Sequence, residues 1–413
     1  MHPKDLSIRD FSYVLPQDRI AQQPLAERDE SKLLVYHAGK VKEDIFSNII
    51  SYLPEGAMIF FNDTKVIHAR ILFKNEQGAE IEILLLEPVS PFRDMQLAIF
   101  QHSECEWRCL VGNVKKWRED FLSRKIKMGD EEGILQVKVK LKGKIENDFL
   151  VHFSWKPESL SFSKVLEATG FVPLPPYIKR KADAEDAERY QTVYAFQDGS
   201  VAAPTAGLHF TEKLFHGMNE KDLHPLFITL HVSAGTFMPV KSELMSDHAM
   251  HAEQFVIRKE MIVRLLSRKD QAVIAVGSTC CRTLESLYWL GTKLLKTPDK
   301  DFIDLPVFVD QWEPYETLDS YHVSILDSLN AVLKFLSKKK SSQLIGETKL
   351  IIAPGYNFKI VDGLITNFHL PKSTLLLLIA AFIGDDWKKV YAYAMDHSFR
   401  FLSYGDGSLL WRK

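Results

Sequence analysis

Five histidines sit where proton transfer would be practical. His209 lies in "APTAGLHFT" (Ala203 to Thr211), His231 in "LHVSAGTF", His248 and His251 in "DHAMHAE", and His369 in "TNFHLP". Imidazole titrates near neutrality, so such groups are candidates for general acid or base work. The stretch around His209 is too short and too punctuated for a helix or a strand. Pro204 fixes its path and Gly207 permits close backbone approach. On a helix, His248 and His251 would share a face, with Glu253 nearby. That trio also raises a metal site, but it lacks the HExxH arrangement and metal is the minority reading. Arg282 and Glu285, three apart after "VGSTCCRT", would share a helix face, either as a surface ion pair of small worth or as ligand-binding groups. Thr366, Asn367 and His369 crowd together before Pro371. "FRFLSYGDGSLLW" places Asp406 after Gly405, which reads as core packing plus a turn or as part of a site.

The elements that must position these groups alternate between strand and helix. "AMIFFND" reads as a buried strand, as do "LFITLHV", "QAVIAV", "KLII" and "DGLIT". "ESLSFSKVLEATG", "KEMIVRLLSRK", the segment after Gly277 and "STLLLLIAAFIG" read as helices. Alternation of this kind implies helices packed on a parallel or mixed sheet, with ligands bound beyond the carboxyl ends of the strands. From Phe73 to Trp155 the texture is β-rich. "QVKVKLKGK" alternates Val137, Val139 and Leu141 with Lys138, Lys140 and Lys142, as a half-buried antiparallel strand does. The expected architecture is a large mixed α/β domain, residues 1–72 and 156–413, with a small all-β module, 73–155, inserted.

The 413 residues are 46% hydrophobic and 26% charged, with a net charge of −2, an ordinary globular balance that makes no case for nucleic acid by itself. Local basic stretches, "NVKKWREDFLSRKIK" with Trp117 and Phe121, the lysine face above, and "SKKKSS", suit phosphate contact but more often form a solvated face. No apolar run is long enough to span a bilayer, and a cytoplasmic location is expected. The four cysteines, Cys105, Cys109, Cys280 and Cys281, fit neither a disulfide framework nor a zinc site. No GxGxxG follows a strand and no Walker-type GxxxxGK[ST] occurs, so nucleotide hydrolysis has no support. Backbone amides after Gly277 could still hold an anion.

Taken together, "DFSYVLPQDRIAQQP", "RDESKLL", "NDTKVIHARI", "PLPPYIKR", "ERYQTVYA", "APTAGLHFT", "LHVSAGTF", "HAMHAE", "VGSTCCRTLES", "PGYNF", "TNFHLPKSTLL" and "FRFLSYGD" resemble the S-adenosylmethionine:tRNA ribosyltransferase-isomerases of queuosine biosynthesis. They follow the family's order across nearly the whole chain. The resemblance is thin from Phe73 to Trp155 and from Leu287 to Lys349. It implies an α/β domain with an inserted β-barrel. It also implies that S-adenosylmethionine serves as ribosyl donor, with no metal. The acceptor implied is 7-aminomethyl-7-deazaguanine at the wobble position of tRNA with a GUN anticodon. The product implied is epoxyqueuosine, with adenine and methionine released. His209 is then the first choice for proton transfer and His231 the second, with His251 and Glu253 as further catalytic candidates. Thr205, Gly207, Arg282, Glu285, Asn367, His369, Tyr404 and Asp406 are the substrate-binding candidates. Among these, Asp406, Glu285 and Tyr404 are the expected neighbours of the sulfonium. A monomer is favoured. Departures from the family pattern at His68, Ser233 and Gly407, and an extended segment from 296 to 348, suggest a divergent paralogue. The alternative reading is a non-catalytic or re-purposed RNA-binding relative on the same scaffold.

Overall fold

The strand Met58–Asn62 is buried at all five positions. Phe60 points into one core, while Ile59 and Phe61 point into another on the opposite face. Such a run can only be a central strand covered on both sides. In this computed structural model, which describes residues 2–128, 133–145, 148–232, 240, 242–296 and 307–413, it lies at the middle of a ten-stranded mixed sheet. Across the sheet the order is Val307–Val309, Gln343–Thr348, Glu253–Arg258, His224–Leu230, Met58–Asn62, Val273–Val276, Gly363–Asn367, Gly407–Trp411, Lys32–His37 and Lys40–Ile45. The four neighbours from His224–Leu230 to Gly363–Asn367 run parallel.

That order aligns the chemistry. The carboxyl ends of the four parallel strands finish along one edge, at Leu230, Asn62, Val276 and Asn367. Gly407–Trp411 runs antiparallel, so it starts at the same edge, with Gly407 opposite Asn367. Lys32–His37 is parallel to it, with Leu33 opposite Gly407, so Ser31 also lies there. One face of the sheet is covered by the 20-residue helix Gly277–Lys296 and by Thr374–Ile383, which contribute Cys280, Cys281, Leu284, Leu377 and Phe382 to the larger core. The other face packs Ile49, Leu214 and Met218. All four cysteines are free and buried.

A second, seven-stranded sheet runs wholly antiparallel from Arg70–Lys74 through Glu80–Ser90, Glu104–Gly112, Asp148–Lys156 and Ile134–Ile145 to Leu122–Lys127, with Gly170–Phe171 at its first edge. Phe73, Trp107, Phe153 and Phe162 fill its own core. The sheet curls until Arg124, on the last strand, donates from Nη1 to the carbonyls of Leu72 (3.4 Å) and Thr169 (2.8 Å) beside the first. No ladder among the described residues closes the curl into a barrel. Of the two aromatics in the basic stretch "NVKKWREDFLSRKIK", Trp117 is buried in this core, while Phe121 stays exposed under Lys138 Nζ at 4.9 Å.

One expected element folds differently, and a helix considered for the histidine pair does not form. "KLII" is buried but forms no strand; the strand precedes it at Gln343–Thr348, and Leu350 to Ala353 pack as irregular chain. "HAMHAE" is not helical. It is extended chain entering Glu253–Arg258, so His248 and His251 do not share a helix face. Within the segment from 296 to 348, residues Ile325–Lys338 form a helix packed against Gly277–Lys296. No helix among the described residues is long and apolar enough to cross a membrane.

Candidate active site

"APTAGLHFT" forms a 3-10 turn, Thr205–His209, whose cap amide bonds back to Gly207. Gly207 is required there because Tyr194 fills the space a side chain would take: a Cβ would lie 1.9 Å from Tyr194 Oη. The close approach expected of this glycine is therefore to the chain's own tyrosine. The turn holds His209 at the sheet edge between two polar partners. Its Nδ1 lies 2.8 Å from Ser31 Oγ and its Nε2 lies 3.1 Å from Asn367 Nδ2. Thr205 Oγ1 donates to Asn367 Oδ1 at 2.9 Å, which turns the amide N–H toward the ring. The Nε2 of neutral His209 is thus an acceptor, and Nδ1–H donates to Ser31. Burial, with the charges of Arg400 and Arg28 adding to it, pushes the His209 pKa down to about 4.

His231 and His369 follow the same pattern. His231 Nδ1 is 2.9 Å from Thr64 Oγ1, and its Nε2 faces Gln96 Nε2 at 3.4 Å. His369 Nε2 is 2.9 Å from Thr366 Oγ1. Burial pushes each of them down to about 4 as well. Among the described residues no carboxylate is hydrogen-bonded to any of the three rings; a hydroxyl backs each one. Burial outweighs the nearby Asp94 charge at His231 and dominates at the other two rings, so all three are held uncharged at pH 7.

Three clefts adjoin along this edge. The central one has a cavity volume of about 70 Å³ and is lined by Pro204, Thr205, Gly277 to Thr279, Asn367, Phe368 and His369, with Tyr177 and Ser403. The start of the long helix faces it, and Thr279 Oγ1 is buried there with no hydrogen-bond partner among the described residues. Ser403 is shared with a smaller hollow that holds His209, Tyr404, Arg28, Arg189 and Arg400. Val232 is shared with a wider cleft of about 400 Å³, lined by His231, Glu87, Arg93, Arg108, Gln254 and Glu347, between the two sheets. His209 and His231 therefore open onto different hollows on either side of the central cleft.

The remaining candidates separate. Arg282 is buried and ion-paired with buried Glu253; burial lowers the guanidinium pKa to about 10. Glu285 shares the helix of Arg282 but points elsewhere. Its carboxylate accepts the amides of Lys359, Ile360 and Val361 at 2.8–3.0 Å and the Tyr356 hydroxyl at 2.9 Å. It stitches an irregular loop to the helix and lines none of the three clefts. Asp406 accepts the amides of Arg400 (2.7 Å) and Lys32 (3.2 Å). Tyr404 donates to Asp186 at 2.9 Å, which Arg180 clamps with two bonds of 2.6 Å. The three expected neighbours of the sulfonium thus have protein partners, and Phe368 and Tyr177 are the aromatic side chains that face the central cleft. His251 is exposed, and no group of three or more metal-binding side chains occurs among the described residues.

A family model described as "Queuosine biosynthesis protein" matches residues 8–410. The chain belongs to this queuosine biosynthesis family. It is 37% identical, over 98% of this chain and all of the relative, to a protein of Halothermothrix orenii named S-adenosylmethionine:tRNA ribosyltransferase-isomerase. Proteins of the same name from Aromatoleum aromaticum (35%, covering 98% and 97%) and Carboxydothermus hydrogenoformans (36%, covering 98% and 100%) are similar to it. The crystal structure of an S-adenosylmethionine tRNA ribosyltransferase from Thermotoga maritima is 26% identical, covers 97% of this chain and 99% of its own, and superposes with a TM-score of 0.45.

Gly407 has little space for a side chain. A Cβ there would lie 2.8 Å from the Phe46 ring and 3.5 Å from His209 Cδ2. Phe46 lies against His209, centroids 4.7 Å apart, and occupies the space an alanine methyl would need. His68 lines none of the clefts, and Ser233 lies outside the described residues. Sequence reasoning missed Ser31, Thr64 and the three arginines. Each sits in a motif quoted above, "RDESKLL", "NDTKVIHARI", "ERYQTVYA" or "FRFLSYGD", but hydroxyls and charges in irregular chain carry no periodic signal.

Proposed function

We propose that this protein is a tRNA-modifying transferase-isomerase. It moves the ribosyl part of S-adenosylmethionine onto 7-aminomethyl-7-deazaguanine at the wobble position of tRNA with a GUN anticodon. The product is epoxyqueuosine, with adenine and methionine released. The observation that carries the reading is identity of 35–37% over essentially full length to relatives named for this activity. The same breadth disfavours a non-catalytic relative, since the departures at His68 and Gly407 leave the three buried imidazoles in place.

In this reading His209 Nε2 is the base. The sulfonium acidifies the neighbouring ribose carbon, and a neutral imidazole in a site of low water content can take that proton. Because His209 is uncharged at pH 7, the proton it gives to departing adenine is one it has first accepted. Thr205 and Asn367 orient the base. Phe368 and Tyr177 offer aromatic faces to the sulfonium. A central cleft of about 70 Å³ is below the roughly 300–1,000 Å³ of sites that enclose such ligands, so the donor also enters the hollows on either side. The wider cleft with His231 receives the acceptor nucleotide. His251 is left without a direct role, and Glu253 holds Arg282. The β-rich region works as an inserted barrel-like domain that walls this cleft, and the enzyme acts as a cytoplasmic monomer.

Mass analysis of wobble nucleosides tests the reading. Cells carrying the protein should accumulate epoxyqueuosine or its descendants. Cells lacking it should accumulate the aminomethyl precursor, and identical profiles would refute the assignment.

A further inference from the structure

The hollow beside His209 carries a charge that the proton-transfer chemistry does not use. Arg28, Arg189 and Arg400 all line it, and no acidic side chain does. Arg28 donates to the carbonyls of Gln191 and Glu188 (Nη2, 3.0 Å). Arg189 donates to the carbonyls of Ala26 (3.0 Å) and Leu25. These bonds hold the two guanidiniums in place without neutralising them, because carbonyl oxygens carry no net charge. Arg189 Nε is buried with no hydrogen-bond partner among the described residues. Among the described residues, of the three only Arg400 is recorded in an ion pair, with Asp406 at 3.3 Å.

We propose that this three-arginine hollow binds an oxyanion of a substrate, either the carboxylate of the S-adenosylmethionine donor or a backbone phosphate of the acceptor tRNA. The inference rests on the functional reading above for the identity of those substrates. Planar guanidiniums recognise carboxylate and phosphate alike through paired N–H groups, and Arg189 retains an unused donor for such a bond. The like charges of Arg28 and Arg189 oppose one another: after burial, Arg189 is the next largest influence lowering the Arg28 pKa, with Glu188 offsetting it in part. An anion between them removes that repulsion. The hollow shares Ser403 with the central cleft and holds the imidazole of His209, so a bound anion would anchor substrate beside the base.

The test is equilibrium binding to the full-length protein and to its Arg28→Gln and Arg189→Gln variants. The probes are S-adenosylmethionine, its decarboxylated analogue, and unmodified tRNA transcript with a GUN anticodon across a potassium chloride series. If the carboxylate is the ligand, the wild type prefers the carboxylated donor by about tenfold or more, and both variants lose that preference while tRNA binding stays put. If a phosphate is the ligand, tRNA affinity falls about tenfold and the log–log salt slope drops by about one, with donor binding unchanged. Both probes bound within twofold of wild type in both variants would overturn the site. Should a glutamine variant melt early, Arg189→Lys, which keeps the charge but loses the fork, is read by the same criteria with a smaller loss expected. None of these readouts needs turnover. Intact charge-dependent binding without adenine release would therefore count against the activity alone.

Discussion

Gly207→Ala tests how the turn around His209 is built. The added methyl would sit 1.9 Å from Tyr194 Oη and 3.0 Å from both Tyr194 Cζ and Thr192 Cγ2. Restoring an ordinary 3.4 Å contact means moving the phenol by about 1.5 Å. The ring has little freedom to move, because Phe61, Phe215 and Phe227 pack on it with centroids 5.1, 5.5 and 5.7 Å away. Overpacking of this kind costs about 1–3 kcal/mol. If the turn moves instead of the ring, Thr205 and His209 lose their alignment on Asn367. Urea denaturation should give a lower midpoint with unchanged slope, and adenine release should fall with it. Tyr194→Phe isolates the cause. Tyr194 Oη has no well-formed hydrogen bond, with Thr192 as a weak partner, so this change alone should cost under about 1 kcal/mol. Combined with Gly207→Ala, it removes the 1.9 Å clash and should recover most of the lost stability. A Gly207→Ala protein as stable as wild type, or a double variant no better than Gly207→Ala, would refute the packing argument.

Further outcomes follow from the same geometry. Folding holds the pKa values of His209, His231 and His369 at about 4 against an ordinary 6.5. The unfolded chain therefore takes up protons first as pH falls. Stability is full above about pH 6.5 and is lost down through about pH 4, by about 3 kcal/mol for each group; a pH series of denaturation midpoints flat from 6.5 to 4.5 would contradict this. Arg282→Met breaks the buried ion pair with Glu253 and should destabilise by about 3–5 kcal/mol in thermal melts; a variant melting with wild type would contradict this. Gly407→Ala should press on the Phe46 ring and cost about 1–3 kcal/mol, with Phe46→Leu relieving it; equal melting temperatures for all three proteins would contradict the contact.

Strands such as Met58–Asn62 and Val273–Val276 were legible because an unbroken apolar run has few other fates, and the lysine-faced strand because its alternation has a period of two. Where burial and pairing part company, the reading failed. "KLII" is as apolar as those strands, yet it packs as irregular chain whose neighbouring loop is tied down by Glu285. Helical spacing in "HAMHAE" was coincidental, since extended chain leads there directly into a strand. Spacing also joined Arg282 to Glu285, whereas the partner of Arg282 is Glu253, a contact only the sheet order creates. Of the site, the loops at strand ends and the histidines His209, His231 and His369 could be read. The hydroxyls that orient the rings and the arginines that charge the neighbouring hollow could not. Ser31 and Arg28 reach His209 through a pairing of Lys32–His37 with a strand more than 370 residues later.

The central claim is that neutral His209, oriented by Ser31 and Asn367, moves the proton that allows adenine to leave. Single-turnover release of adenine from S-adenosylmethionine on prequeuosine-containing tRNA, compared between wild type and His209→Ala, tests it most directly. Wild type should release adenine only when that tRNA is added, and His209→Ala, with binding of both substrates retained, should be slower by about 10²–10⁴-fold. A folded, substrate-binding His209→Ala protein within severalfold of the wild-type rate would contradict the account.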